Sequence, residues 1–243
     1  AWKEAVLDKL KQYDGNFFQA YSTTPFVVPC GNTIDEEAAK ADGADTAVFV
    51  LSRIAGENAD RHDTEGDYFI TEEEKALLKQ VSASYDNVVL VINTGGLIDL
   101  AFTEEFANIK SIVQFMQAGQ EGGSAFADII SGAVNPSGKM TDSWAYTYAD
   151  YPNAQNFSHK NGNIETEKYE EGIFVGYRYF DTFDVPVRYG FGFGLSYTEF
   201  SVVGTGISAS GLGTDQPKIS VTASVKNIGH TYAGKEVVEV YVS

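Results

Sequence analysis

The 243-residue sequence holds a single cysteine, Cys30, so no internal disulfide staples the fold. Flanked by Pro29 and Gly31, that thiol reads as a packed or bystander side chain in a turn. Basic residues are scarce: 17 Lys and Arg stand against 34 Asp and Glu, a formal net charge of −17. Such an excess of negative charge opposes phosphate backbones and anionic headgroups, which argues against nucleic acid and membrane as partners. Apolar runs are short, and none approaches the ~20 residues of a membrane span. The first residues lack a basic segment followed by an apolar one, so no signal peptide is visible and localisation stays open. The sequence starts without Met, inside a helical pattern, as a processed or cut segment would. Histidine is limited to His62, His159 and His230, scattered without the spacing of a metal site, and neither a metal nor a cofactor is expected.

What remains describes a packed chain: 43% hydrophobic and 13% aromatic, too apolar for disorder. Its length suits one large or two modest domains, and leaves no room for a (β/α)₈ barrel of roughly 250 residues beside anything else. Trp2, Val6 and Leu10 recur at helical spacing, and Thr33 with Glu36 forms a capping box opening a short helix. Thr46 to Ser52 is a continuous apolar run of strand length, as is Val88 to Asn93. Both read as strands covered on two faces. Between them, Thr71 and Glu74 form a second capping box ahead of a helix with Leu77, Val81 and Tyr85 on one face. Ile109 to Met116 is strand-like, and Gly122 to Ser131 reads as a helix stopped at Gly132. The alternation predicts an α/β fold, a mostly parallel sheet sandwiched by helices, running to about Tyr197.

After Thr198 the period changes to two. Ile219, Val221, Ala223 and Val225 alternate with polar residues, as do Val238, Val240 and Val242, predicting a few antiparallel strands with one wet face. The stretch is under half of the ~100 residues an immunoglobulin-like sandwich takes, so the second domain is expected to be incomplete. Unfinished edge strands imply self-association into a homo-oligomer or pairing with a partner.

Two glycine-rich stretches invite a nucleotide reading and fail it. Gly190-Phe-Gly192-Phe-Gly194 has the wrong spacing and no helix behind it, and reads instead as close-packed turns. Asn93-Thr-Gly95-Gly96 follows a buried strand, where open α/β sheets place ligands, but lacks the Lys of a phosphate loop and reads as a tight strand-to-helix turn. The segment Arg53-Ile-Ala-Gly-Glu57-Asn-Ala-Asp60-Arg61 lies just past the C-terminal end of the first strand. Taken bare, Glu57 there is a solvated loop charge, and Asp60 with Arg61 an ion pair holding the loop's shape.

A series of motifs in one order changes that reading. Gly56-Glu57-Asn-Ala-Asp60-Arg61 resembles the S-G-E-G-x-D-R loop of glycoside hydrolase family 3, the β-glucosidase and β-xylosidase type. Gln117-Ala-Gly119-Gln120-Glu121-Gly-Gly123 resembles its W-x-A-G-Q-E-x-G turn, and Asn135-Pro-Ser-Gly-Lys139 its N-P-S-G-K/R-L segment. Tyr169 to Asp181 resembles Y-x-E-G-I-x-V-G-Y-R-Y-Y-D, and Tyr189 to Tyr197 resembles F-G-Y-G-L-S-Y. Asn227-Ile-Gly229 and Ala233-Gly-Lys-Glu-Val237 are similar to the start of the family's fibronectin-III-like domain.

The resemblance implies residues 1–197 as the family's C-terminal α/β sandwich and 198–243 as the N-terminal part of the fibronectin-III-like domain. It implies that Glu57 is the general acid/base of a retaining β-glycosidase acting on β-glucosides or related oligosaccharides. Asp60 and Arg61 would support the loop. The nucleophilic Asp would come from a (β/α)₈ barrel on the same parent chain or a separate one, and the isolated chain would be inactive. A retaining mechanism requires two carboxyls roughly 5–5.5 Å apart, one ionised and one protonated. Burial of Glu57 against sugar and barrel would raise its pKa for that task. The sequence departs from the family pattern at Asn58 and Ala59, where Gly and Tyr are the rule, and at Phe115, Met116 and Met140. Asn58 and Ala59 lend a second reading, a non-catalytic sugar-binding or interaction module on the same scaffold. A flavodoxin-like nucleotide binder is a third.

Overall fold

The computed structural model describes residues 45–53 and 60–242. The expected first helix, the capping box at Thr33, Cys30, and Glu57 with Asn58 and Ala59 lie outside the described residues.

Three parallel strands in the order β1 (Thr46–Ser52), β2 (Asn87–Asn93) and β3 (Ile109–Gln114) form the sheet. β1 runs in register with β2 from Thr46 opposite Asn87 to Ser52 opposite Asn93. The alternation of side chains along each strand separates two cores. Ala47, Phe49 and Leu51 of β1 and Val88, Leu90 and Ile92 of β2 face one side, where Leu78 and Val81 of helix α1 (Glu72–Ser84) cover them. Val48, Val50 and Val91 face the other, against Phe126 and Ala127 of helix α2 (Gly122–Ile130). Helices on both faces explain why these strands are apolar throughout instead of alternating. Each large side chain buried here contributes about 1.5–3 kcal/mol.

The helix boundaries have local causes. The Thr71 hydroxyl accepts from the Glu74 amide at 3.1 Å, and the Glu74 carboxylate accepts from the Thr71 amide at 2.9 Å, closing the capping box. α2 ends where Gly132 takes φ +77°, a conformation open to glycine, while its amide donates to the Ile129 carbonyl. The Gly95–Gly96 turn departs from expectation: it leads into an irregular stretch and a 3₁₀ turn (Ala101–Glu105), not directly into a helix. The intervening Ile98 and Leu100 are drawn into the core, and the Trp144 indole donates to the Ile98 carbonyl at 2.7 Å. Trp144 belongs to β4 (Trp144–Ala145), antiparallel to β5 (Val187–Tyr189), with the short helix α3 (Tyr177–Thr182) before β5.

Downstream, β6 (Phe200–Ser210) and β7 (Lys218–Asn227) form a two-stranded antiparallel sheet with Val203, Ile207 and Ile219 exposed. The strand expected around Val238–Val242 is not formed. That segment is instead held by side-chain contacts to loops of the α/β unit. The Lys235 amide donates to the Ser137 hydroxyl at 3.0 Å, and Glu236 pairs with Lys139 at 3.3 Å. Tyr241 packs edge-on against Tyr177. Asn135 joins three pieces of chain: its amide donates to the Ser196 hydroxyl and the Ala233 carbonyl, and its oxygen accepts from the Tyr197 amide. The Gly190–Gly194 stretch packs backbone on backbone, since a Cβ on Gly194 would lie 2.1 Å from the Gly138 carbonyl oxygen.

Candidate functional site

Loops at the C-terminal ends of β1 and β2 gather around a cavity of about 460 Å³. Asp60, Arg61 and His62 line one side, Gly96 and Leu97 another, and Tyr68, Tyr148, Tyr151 and Phe157 form an aromatic wall. Tyr68 stands edge-on to Tyr148 at 5.3 Å and to Phe69 at 5.1 Å, and Tyr148 stands 6.4 Å from Tyr151. These offset contacts are the favoured arrangement of ring quadrupoles and hold the wall stiff. Burial pushes the phenols of Tyr68 and Tyr151 up, so both stay neutral near neutral pH. At the rim Lys160 lies 4.0 Å over the Tyr148 ring and 2.7 Å from Asp63. Burial works against the Lys160 ammonium, but Asp63 and Tyr148 outweigh it and raise its pKa. A stiff, neutral, largely aromatic surface with a few charged groups at its edge suits a polar but uncharged ligand.

The two arginines flanking residues 54–59 are heavily engaged. Arg53 forks onto Glu74, Nη1 to Oε1 at 2.7 Å and Nη2 to Oε2 at 2.8 Å. Its side chain and that of Glu74 are 5% and 4% exposed, so both charges depend on each other for solvation. Arg53 also donates to the carbonyls of Ser52 at 2.9 Å, Asp67 at 2.9 Å and Phe69 at 3.3 Å. Arg61 donates to Asp67 Oδ1 at 2.6 Å, to the Asp67 carbonyl at 2.7 Å and to the Leu97 carbonyl at 2.8 Å. Its ion pair is therefore with Asp67 and not with its neighbour Asp60, because the turn over His62–Phe69 folds the Asp67 carboxylate back onto it. Asp60 is exposed at the cavity edge. Burial works to raise the Asp67 pKa, but the His62 amide and the Arg61 guanidinium prevail and hold the carboxyl below its ordinary value of 3.8. Gly96 makes room for this network: a Cβ there would sit 3.1 Å from Arg61 Nη1.

The anchors Arg53, Asp67 and Glu74 and the aromatic wall escape a sequence reading. A capping box at Thr71 says nothing of the long-range partner its Glu will take. Tyr148 and Tyr151, three apart in sequence, were the usable signal for the wall, whereas the neighbouring Trp144 belongs to the core. Among the described residues, no group of three or more His, Cys, Asp or Glu is placed to hold a metal ion, and no helix is long and apolar enough to cross a membrane.

Comparison with known proteins supplies the family. Residues 1–177 match the glycosyl hydrolase family 3 C-terminal domain. A β-glucosidase of Ruminococcus albus is 42% identical over 98% of this chain and 24% of its own length. Among solved structures, a β-glucosidase of Paenibacillus barengoltzii superposes with a TM-score of 0.74 at 34% identity, covering 92% of this chain and 25% of that one. β-Glucosidase 3B of Thermotoga neapolitana, in complex with glycerol, superposes at 0.71 with 31% identity over 92% of this chain and 34% of that one. The chain spans about a quarter of the length of the curated relatives it matches, between 21% and 28% of the eight compared. A profile covering well over half of the chain, the ordered motifs and the parallel sheet agree: the chain belongs to glycosyl hydrolase family 3, of which it carries C-terminal-domain sequence.

Proposed function

We propose that this chain forms part of a retaining β-glucosidase and supplies Glu57 as its general acid/base. Residues 1–197 are assigned to the α/β sandwich and 198–243 to the opening of the fibronectin-III-like domain. The nucleophilic Asp is assigned to a (β/α)₈ barrel outside these 243 residues, which is the partner the site requires. A terminal β-glucoside is the proposed substrate, because several of the relatives similar to this chain are named β-glucosidases. The observation that carries the reading is the place of the Gly-Glu motif. In sequence it lies between Arg53 and Arg61, which are both fixed by charge-assisted hydrogen bonds, and Arg53 directly follows β1 at the C-terminal edge of a parallel sheet. Open α/β sheets present their ligand-binding loops at that edge. In the first step Glu57 gives its proton to the glycosidic oxygen as the barrel Asp attacks the anomeric carbon. In the second it takes a proton from the water that releases the sugar.

The test is Glu57→Gln in the complete enzyme, with barrel and chain together. Hydrolysis of an aryl β-glucoside with a poor leaving group should fall by about 10²–10⁴-fold, the usual contribution of a positioned acid. Retention of full activity would remove Glu57 from the mechanism and favour a non-catalytic role for the chain. Asn58 and Ala59, where the family pattern has Gly and Tyr, are the one feature leaning that way.

A further inference from the structure

A second cavity, of about 450 Å³, adjoins the first at Tyr151, whose side chain lines both. The loop 149–156, the turn 170–174 and helix α3 with Phe183 at its end enclose it. Its volume falls among small-molecule sites, about 300–1,000 Å³. Rings supply the apolar lining. Phe183 stands 5.1 Å from Phe174 and 5.3 Å from Tyr179, centroid to centroid, and is 53% exposed, so much of its surface stays available.

Amides and carboxylates supply the polar lining, and one asparagine sets their positions. The Asn153 amide donates to the Lys168 carbonyl and to Glu171 Oε2, each at 3.1 Å, which ties the turn to the loop. Its oxygen accepts from Asn156 Nδ2 at 3.1 Å, and the same nitrogen reaches Glu170 Oε2 at 3.4 Å. Asn153 holds this place at φ +58°, a left-handed conformation that Asn adopts more readily than most residues. With these bonds made, Asn156 Oδ1, one oxygen each of Glu170 and Glu171, and the whole Gln155 amide have no hydrogen-bond partner among the described residues. No Lys or Arg is among the lining residues.

A ligand that matches this lining is apolar on one part, offers several hydrogen-bond donors on another, and carries an acceptor for the Gln155 amide. A sugar ring has that composition: C–H bonds gather on its faces, and hydroxyls that both donate and accept project from its edge. A phosphate or carboxylate is repelled by the Glu170 and Glu171 charges. A purely apolar ligand leaves the polar groups desolvated and unpaired. An alkylammonium satisfies the carboxylates but brings no acceptor for Gln155.

We propose that this cavity is a second carbohydrate-binding site, taking a neutral sugar unit of an oligosaccharide with its C–H face on the rings and its hydroxyls on Gln155, Asn156, Glu170 and Glu171. No catalytic residue takes part in it, and it rests on the β-glucosidase reading only for the choice of probe. Because Tyr151 lines both cavities, a sugar held here lies next to the candidate site and raises the local concentration of its chain there.

The experiment titrates a thio-linked cellotetraose, which is not hydrolysed, into the complete enzyme saturated with a glucose-configured iminosugar that blocks the catalytic site. Binding is read by saturation-transfer NMR for wild type, Phe183→Ala and Gln155→Ala. Wild type should bind with the inhibitor present. Phe183→Ala should weaken binding about 10-fold or more and Gln155→Ala about 3–10-fold, while kcat/KM on a nitrophenyl β-glucoside stays within about 2-fold of wild type. No binding to the blocked wild type, or equal affinity in both variants, overturns the proposal. Butylammonium, titrated in parallel, binding where the tetraose does not and released by Phe183→Ala, assigns the cavity to an organic cation and overturns it too. If Phe183→Ala does not fold, Gln155→Ala decides, since that side chain has no partner to lose. Absence of β-glucoside hydrolysis by the wild-type enzyme means that the β-glucosidase reading has failed. Normal hydrolysis without tetraose binding to the blocked enzyme means that only the second site has failed.

Discussion

Replacing Glu74 by Ala separates the structural from the chemical roles of the charges around the Gly-Glu segment. Glu74 is 4% exposed, binds Arg53 through both oxygens, and closes the capping box of α1 with Thr71. Its removal leaves the Arg53 guanidinium buried without a counter-charge, which costs about 3–5 kcal/mol when one partner of a buried pair is lost. Loss of one half of the capping box adds an amount on the order of 1 kcal/mol. For a domain of this size the pair alone corresponds to a drop of roughly 6–20 °C in Tm. Urea unfolding followed through the fluorescence of the buried Trp144 measures it as a shift in midpoint at constant slope. The double variant Arg53→Met with Glu74→Leu discriminates further. With no charge left unpaired it should be more stable than Glu74→Ala, a non-additive result expected of residues in one network. A Glu74→Ala loss below about 1 kcal/mol, or a double variant as unstable as the sum of its parts, would refute the claim that the two charges solvate each other.

Two further outcomes follow from the same contacts. Gly194→Ala places a Cβ 2.1 Å from the Gly138 carbonyl oxygen, where backbone stands on both sides. It should cost roughly 2–3 kcal/mol, visible in Tm together with loss of near-UV signal from the adjoining Phe193–Tyr189 stack, whereas an unperturbed Tm would show that the loops are not in contact. The Asp67 carboxyl is held below 3.8 in the folded state, so the ionised form is the one favoured by folding. Its contribution is complete above the unfolded value and is lost as pH falls through the lower folded value. The stability gap between wild type and Asp67→Asn, measured by urea unfolding at a series of pH values, should therefore hold from neutrality down to about 4 and close below it. A gap that persists to pH 2 would show that the charge is not its source.

The sheet and its two helices were legible because their signals are local and redundant. An apolar run the length of Thr46–Ser52 has few places to go but between two covering layers, and Thr71 with Glu74 states its own helix start. The third antiparallel strand was misread because period-two alternation at Val238, Val240 and Val242 describes a segment able to pair, while pairing needs a free edge at the right height. Here Lys235, Glu236 and Tyr241 find partners on Ser137, Lys139 and Tyr177 instead. The site was legible only as a motif. Glu57 is named by a family pattern, but the residues that hold Arg53 and Arg61 lie up to 36 positions away and carry no pattern of their own.

That asymmetry has a physical root. A group that does chemistry needs a particular residue type, so it is legible as a short string of the kind the Gly56-Glu57 motif presents. A group that only holds another in place needs an acceptor at a given point in space, and five of the eight hydrogen bonds donated by Arg53 and Arg61 go to backbone carbonyls, which any residue supplies. The same division explains the Asn135 and Gly194 motifs. They are written in specific residue types although they touch no ligand, because Asn135 must donate twice and accept once between three chain segments, and Gly194 must have no Cβ. A motif in this chain therefore marks a place where only one side chain satisfies the geometry, whether that geometry is a reaction or a weld between the α/β unit and the strands that follow it.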